Sequence, residues 1–442
     1  AAYRGASVAW TIVAGLAAWP VVPIAWELFG RWRARSAARP PTLTTFDRFV
    51  LRSLAVGLAF NGLLLVCFPA TVFAALSTRG DWMLGDAQAP WAERTRAGLV
   101  RAAGGLEWLH EATHENQFEE QIEKSATQTD APVLPSTDDL HDAIAELHQR
   151  MPEARGTFVP RTDGWPWVAT LHPAVTAITA EQEQSIESVG KYLAAAEPDP
   201  TLRVKAIHDY VASRVAYDAV ALAEDRYPDQ SAATVFRDRI GVCAGYANLA
   251  AALGDAADVE IVVVGGYSRH PGKDASGEGH AWNAARIGDR WVLFDATWDA
   301  GSVEGRTFTR EYEPDYLMTP PDVFVATHYP DEDRWQLLST ALTRAQWLRL
   351  AAMRPGFYAR GLQLKNVDTW HIEARDSLHL DIENPLRLEL HVGIVASDDR
   401  WLVHCENVAS GVDCDLPGSG RYDVAIFSDR TYLGALQLDV KP

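Results

Sequence analysis

The chain has 442 residues, 48% of them hydrophobic, which allows two or three domains with real cores and excludes a disordered protein. Its net charge of −19 is unevenly spread: residues 1–80 hold eight arginines and no lysine against two acids, whereas the remainder holds 32 basic and 57 acidic residues. So acidic a main body is ill suited to nucleic acid or to an anionic surface.

Two stretches, residues 7–30 and 53–76, are apolar over the roughly 20 residues a membrane helix needs. Their length and number argue against a signal peptide. Arg31, Arg33, Arg35, Arg39, Arg48 and Arg52 lie in the connection between them. The positive-inside rule puts that connection in the cytoplasm and the long C-terminal body outside it, on the periplasmic side of a cell membrane. Residues 1–80 are therefore expected to form two transmembrane helices.

Residues 81–178 read as a polar, largely helical juxtamembrane region followed by a linker. His110-Glu111-Ala112-Thr113-His114 fits the H-E-x-x-H zinc signature. Its flank, with Glu115, Asn116, Glu119 and Glu120, reads instead as a solvated helix face, and no third ligand stands out. No metal is expected.

Residues 179–345 form the next unit. A helix is expected from an N-cap at Thr179, with Glu181 and Glu183 in its first turn. A second carries Ile207, Tyr210 and Val211 on one face, and a third opens at Cys243 and stops at Gly254. Strand patterns follow: "VEIVVVGGY", then "HAWNAARI" and "RWVLFDATW" joined by Gly288-Asp289, a two-residue hairpin turn. Helices followed by an antiparallel sheet make an α+β order. Residues 355–442 hold short strands such as "SLHLDI", "RYDVAIF" and "YLGALQLDV", read as a β-sandwich of immunoglobulin type. There Cys405 and Cys414 flank a turn, as either a disulfide or two buried thiols.

Cys243 sits between Gly241 and Gly245 at a helix start, where unpaired backbone N–H groups favour a thiolate and can hold an oxyanion. The glycines are expected to let other backbone approach closely. A nucleophile needs a base, and the base an orienting group. With Gly288-Asp289 as the turn, Trp282 faces Asp295, and His280 lies one diagonal away on the same face. Trp282 and Trp298, with Tyr246 one turn after Cys243, are expected to bind substrate, although each tryptophan serves equally as plain core. The loop at 268–279 is expected to act as a lid.

"GVCAGYA" and "HAWNAARIGDRWVLFDATWDAG" together closely resemble the transglutaminase-like cysteine superfamily. "VKAIHDYVASRVAYD" and "YLMTPPDVFVATHYPDEDRWQLL" resemble segments of its kyphoscoliosis-peptidase branch, which commonly carries a β-sandwich afterwards. The resemblance implies a papain/transglutaminase-like core with Cys243 as nucleophile, His280 as general base and acid, and Asp295 as the residue orienting His280. It implies a cysteine peptidase acting on protein or peptide amides without a cofactor, or, with an amine as acceptor, a cross-linking acyltransferase. A non-catalytic binding module for cell-envelope proteins is the alternative.

Overall fold

The computed structural model describes residues 22–34, 44–68, 116–122, 164–271, 277–367 and 369–441, with isolated positions between 72 and 98. Most of the first apolar stretch, the H-E-x-x-H motif and the centre of the 268–279 loop fall outside the described residues. The chain divides into two units, Ala1–His114 and Glu115–Pro442.

In the first unit, helix α1 spans Val22–Ala34 and α2 spans Thr45–Cys67. A capping box fixes the start of α2: Asp47 N–H donates to Thr44 Oγ1 at 3.1 Å, and Thr44 N–H donates to the Asp47 carboxylate at 3.0 Å. This start corrects the expected boundaries. Arg48 and Arg52 are not loop residues but lie in the first turns of α2, where Glu27 of α1 pairs with both. Arg31 and Arg33 likewise belong to α1. Among the described residues one helix, Phe46–Leu65, is long and apolar enough to cross a membrane, with mean hydropathy 1.5. Its Leu51, Leu54, Leu58 and Leu63 are exposed.

In the second unit, α3 (Ile186–Ala196) and α4 (Pro200–Arg214) pack on α5 (Cys243–Ala256). The expected N-cap at Thr179 instead closes a turn, in which Gln182 and Glu183 N–H donate to the Thr179 carbonyl. The helix waits for Ser185, whose hydroxyl exchanges hydrogen bonds with Ser188 in a capping box. Asp199 caps α4 through Thr201 and Leu202 N–H, and Pro200 costs nothing at N1 because that N–H has no intrahelical partner. Helix α5 is largely apolar and buried throughout Cys243–Ala251, with Asp255 exposed in its last turn.

Short strands β1 (Ala216–Tyr217) and β2 (Ile240–Gly241) pair in parallel just ahead of α5. Next come β3 (Ile261–Ser268), β4 (Glu278–Ile287) and β5 (Arg290–Phe294), the hairpin β6 (Gly301–Glu304) and β7 (Thr307–Arg310), then β8 (Leu317–Thr319) and β9 (His328–Pro330). The main sheet is antiparallel with order β8-β5-β4-β3-β9. Pairing of Ile287 with Arg290 and Asn283 with Phe294 is the register that a two-residue Gly288-Asp289 turn dictates. Alternation then sends Ala281, Ala285 and Val263 to the helix side and Val262, Val264 and Trp282 to the opposite core. Asn283 bolts the two layers together, donating to the carbonyls of Ala247 in α5 and Val262 in β3.

The C-terminal strands form two sheets. β10 (Gln363–Leu364), β12 (Ser377–Glu383), β16 (Gly411–Asp415) and β15 (Glu406–Val408) make one. β11 (His371–Ala374), β18 (Thr431–Val440), β17 (Gly420–Ser428), β13 (Leu390–Val395) and β14 (Trp401–His404) make the other. Leu380 and Val412 from the first sheet and Val424, Ile426 and Leu436 from the second share one core, so the unit is a β-sandwich. Cys405 and Cys414 are disulfide-bonded.

Candidate active site

Cys243 is the first residue of α5, and its side chain has no exposed surface. No side chain caps this helix; the Gly245 N–H donates to the Val242 carbonyl at 2.9 Å, which leaves the N–H groups of Cys243 and Ala244 to face a charge developing at the sulfur or on a bound carbonyl. The approach to the helix is held by Gln230, whose Oε1 accepts from Val242 N–H at 2.8 Å. Gly245 makes that possible: a Cβ there would sit 2.5 Å from Gln230 Oε1 and 2.7 Å from Val235. The glycine thus admits side chains, not the backbone that its sequence context suggests.

His280 opens the buried stretch of β4, and Asp295 follows the last residue of β5. His280 Nε2 lies 2.8 Å from Asp295 Oδ2, and the imidazole is within hydrogen-bonding reach of the Cys243 thiol. With Nε2 engaged by the carboxylate, Nδ1 is the nitrogen left for the sulfur. Asp295 Oδ1 accepts from the N–H groups of Thr297 at 2.8 Å and Trp298 at 3.3 Å. Burial by itself would drive proton loss from His280, but Asp295 and Cys243 reverse this and push its pKa up to about 10. Burial likewise disfavours the Asp295 charge, yet His280 and then His328 hold its carboxyl below the usual carboxylate range.

His328, at the start of β9, was not legible as a site residue. Its Nε2 lies 3.2 Å from the same Asp295 oxygen. Its ring packs on Phe324, Trp298, Trp282 and Tyr316 at centroid distances of 4.2 to 5.2 Å. Burial in that cage dominates and lowers its pKa to about 4, with Asp295 opposing and His280 reinforcing. His280, Asp295 and His328 are close enough to share a metal ion. The hydrogen bonds already join these three groups, and an ion would have to displace the protons between them.

Of the three residues expected to bind substrate, Trp298 is half-buried and stacks on His270 at 4.5 Å. Trp282 and Tyr246 are buried in the core, and the Tyr246 hydroxyl donates to the Val215 carbonyl. Both are fully buried, like Cys243 itself.

Asn116 overturns a sequence expectation. Read as part of a solvated face, it is buried, and its Nδ2 donates to the His280 carbonyl at 2.9 Å. Two residues on, Phe118 is fully buried against Tyr227, 4.9 Å between centroids, in the core cluster that contains Cys243. Asn248 of α5 donates to the Gln121 carbonyl. Residues 116–122 therefore seal the thiol side of the site. Tyr217, opposite Gly241 in the β1–β2 pair, is also at the sulfur: burial and then Cys243 push its phenol well above its ordinary value.

Residues 187–296 match the family model of the transglutaminase-like superfamily. The kyphoscoliosis peptidases of Mus musculus and Homo sapiens are each 33% identical over 174 residues, 38% of this chain and 26% of theirs. Hillarin of Drosophila melanogaster is 24% identical over 171 residues, covering 33% of this chain and 21% of its own. A solved TGase structure covers 30% of this chain and 36% of its own at 21% identity, with a TM-score of 0.21 that carries no argument. The chain spans about a quarter of the length of the kyphoscoliosis peptidases it matches.

Proposed function

We propose that this domain is a thiol-dependent amide hydrolase, a cysteine peptidase acting on protein or peptide substrates. Its relay is Cys243–His280–Asp295. The observation that carries the reading is convergence: a strand and a post-hairpin turn join imidazole and carboxylate by a hydrogen bond, and a helix N-terminus brings the Cys243 sulfur close enough to act on the same imidazole. The Cys243 sulfur attacks the amide carbonyl carbon, forming an S–C bond and an oxyanion held by the N–H groups of Cys243 and Ala244 at the start of α5. His280 gives its proton to the amine as the C–N bond breaks, leaving a thioester. Water then attacks with His280 taking its proton; the C–S bond breaks, and the sulfur and a carboxylic product are released. An amine in place of water would make the same site a cross-linking acyltransferase.

The kyphoscoliosis-peptidase likeness supports hydrolysis. The apolar Phe46–Leu65 helix supports a membrane anchor, and a periplasmic side for the domain rests on the arginine excess of residues 1–80. Two packed antiparallel layers, with β11 parallel to the last strand, support an immunoglobulin type for the sandwich. The test is iodoacetamide labelling against pH, paired with mass spectrometry of a peptide library in the presence of an added amine. Labelling that Cys243→Ala abolishes and His280→Ala reshapes, with cleaved peptides, is expected. Ordinary thiol behaviour in every variant, without products, would favour the binding module.

A further inference from the structure

Asp295 Oδ2 is shared by two imidazoles, and the relay above uses only one of them. The second, His328, comes from β9, 33 residues beyond Asp295. Strand β9 reaches this position because Gly266 of β3 faces it: a Cβ on Gly266 would lie 2.3 Å from the Tyr329 carbonyl and 2.6 Å from Trp282. To donate to a carboxylate, His328 must carry its proton on Nε2. Its Nδ1 lies 2.9 Å from Thr327 Oγ1, whose hydroxyl is the complementary donor for that tautomer when it turns from the Phe324 carbonyl, 3.4 Å away. The groups facing the ring are Asp295, the Thr327 hydroxyl, the Phe324 carbonyl, the His280 ring at 5.4 Å, Tyr316, and the Phe324 and tryptophan rings. One carboxylate cannot neutralise two buried cations, and the cage offers no other anion.

We propose that His328 is a positioning residue of the Cys243–His280–Asp295 relay: a permanently neutral ring that donates its Nε2 proton to Asp295 and so divides the carboxylate's charge between two imidazoles. The inference rests on the thiol-enzyme reading. It deepens that reading by assigning control of His280 basicity to a residue that touches neither sulfur nor substrate. The chemistry has a direction. A hydrogen bond to the carboxylate weakens its grip on His280; without it, Asp295 acts on His280 alone, and His280 keeps its proton to higher pH. The carboxylate also loses one of its four donors and the orientation that donor imposes.

The experiment is the pH profile of iodoacetamide labelling at Cys243, and of peptide turnover, in the full chain. His328→Phe removes the donor and keeps an aromatic ring in the cage. His328→Gln returns an amide donor near Nε2, and His328→Asn places one near Nδ1, out of reach of Asp295. The alkaline limb set by His280 is expected to move up by about one pH unit in the Phe and Asn variants, to stay in place in Gln, and turnover to fall by up to about 100-fold in the first two. Should the Phe variant fail to fold, as judged by its thermal melt, the Gln and Asn pair decides. A uniform loss at every pH with the limb unmoved overturns the proposal while leaving the relay standing. A profile that does not respond to His280→Ala fails the relay itself.

Discussion

Two buried histidine–carboxylate clusters lie within this domain, and they are inversions of each other. At the candidate site one carboxylate, Asp295, sits between two imidazoles. In α4 one imidazole, His208, sits between two carboxylates, with Asp209 Oδ1 at 2.9 Å and Asp299 Oδ2 at 3.1 Å. The second cluster is also tied off on every side. Lys205 and Tyr312 donate to Asp209, His172 N–H donates to it at 2.7 Å, and Asp299 accepts from Tyr316 N–H at 2.9 Å. Only the first cluster has a nucleophile beside it. Burial and perturbed acidity are therefore common to both, and what separates chemistry from architecture is an adjacent sulfur and an uncapped helix end. The architectural cluster still serves the other, because Asp299 closes the turn that begins at Asp295, its N–H donating to the Asp295 carbonyl.

The comparison breaks most sharply under substitution of the two aspartates that face each histidine. Asp295→Asn should cut peptide turnover by about 10³- to 10⁴-fold, as loss of the orienting carboxylate does in a Ser-His-Asp relay, with a modest change in melting temperature. Steady-state kinetics beside a thermal melt checks both halves. Asp209→Ala should do the reverse first: leaving His208 and Lys205 charged and buried costs about 3–5 kcal/mol, read by denaturant unfolding. Equal stability losses from the two would erase the distinction. A smaller effect is expected from Phe118→Asp, which unseals the sulfur without touching either cluster. Cys243 labelling should speed up by about tenfold, since seating Phe118 is worth about 1.5–3 kcal/mol.

The smallest effect separates the clusters by pH. His208 is held to about 9 because Asp209 and Asp299 outweigh its burial. A raised histidine stabilises the fold in full below its ordinary value of 6.5, and that contribution is lost as pH rises through about 9. His280 follows the same sign with its limb near 10. Melting temperature should therefore decline before labelling changes, by about one pH unit. His208→Phe should remove the earlier limb and leave the later one.

How much of this was legible depends on how local the cause is. The β4–β5 register was readable because Gly288-Asp289 permits one pairing, and that pairing puts His280 and Asp295 on one face. The helix opening at Cys243 was readable from its glycines and alanines. His328 was not, because nothing in Thr327-His328-Tyr329 announces an acceptor 33 residues earlier; the nearest trace is the Gly265-Gly266 pair that lets β9 approach. Asn116 was misread for the same reason, since its partner lies 164 residues away. Arg48 and Arg52 fall inside a helix because Thr44 and Asp47 form a capping box ahead of the apolar run, a local start signal that the run's hydropathy alone does not show.

Shut in by Phe118 and by the core, Cys243 is withheld from oxidants as completely as from peptides. In a compartment oxidising enough to keep Cys405 and Cys414 joined, an accessible thiolate would be short-lived. In this fold, whatever limits access to the sulfur also preserves it.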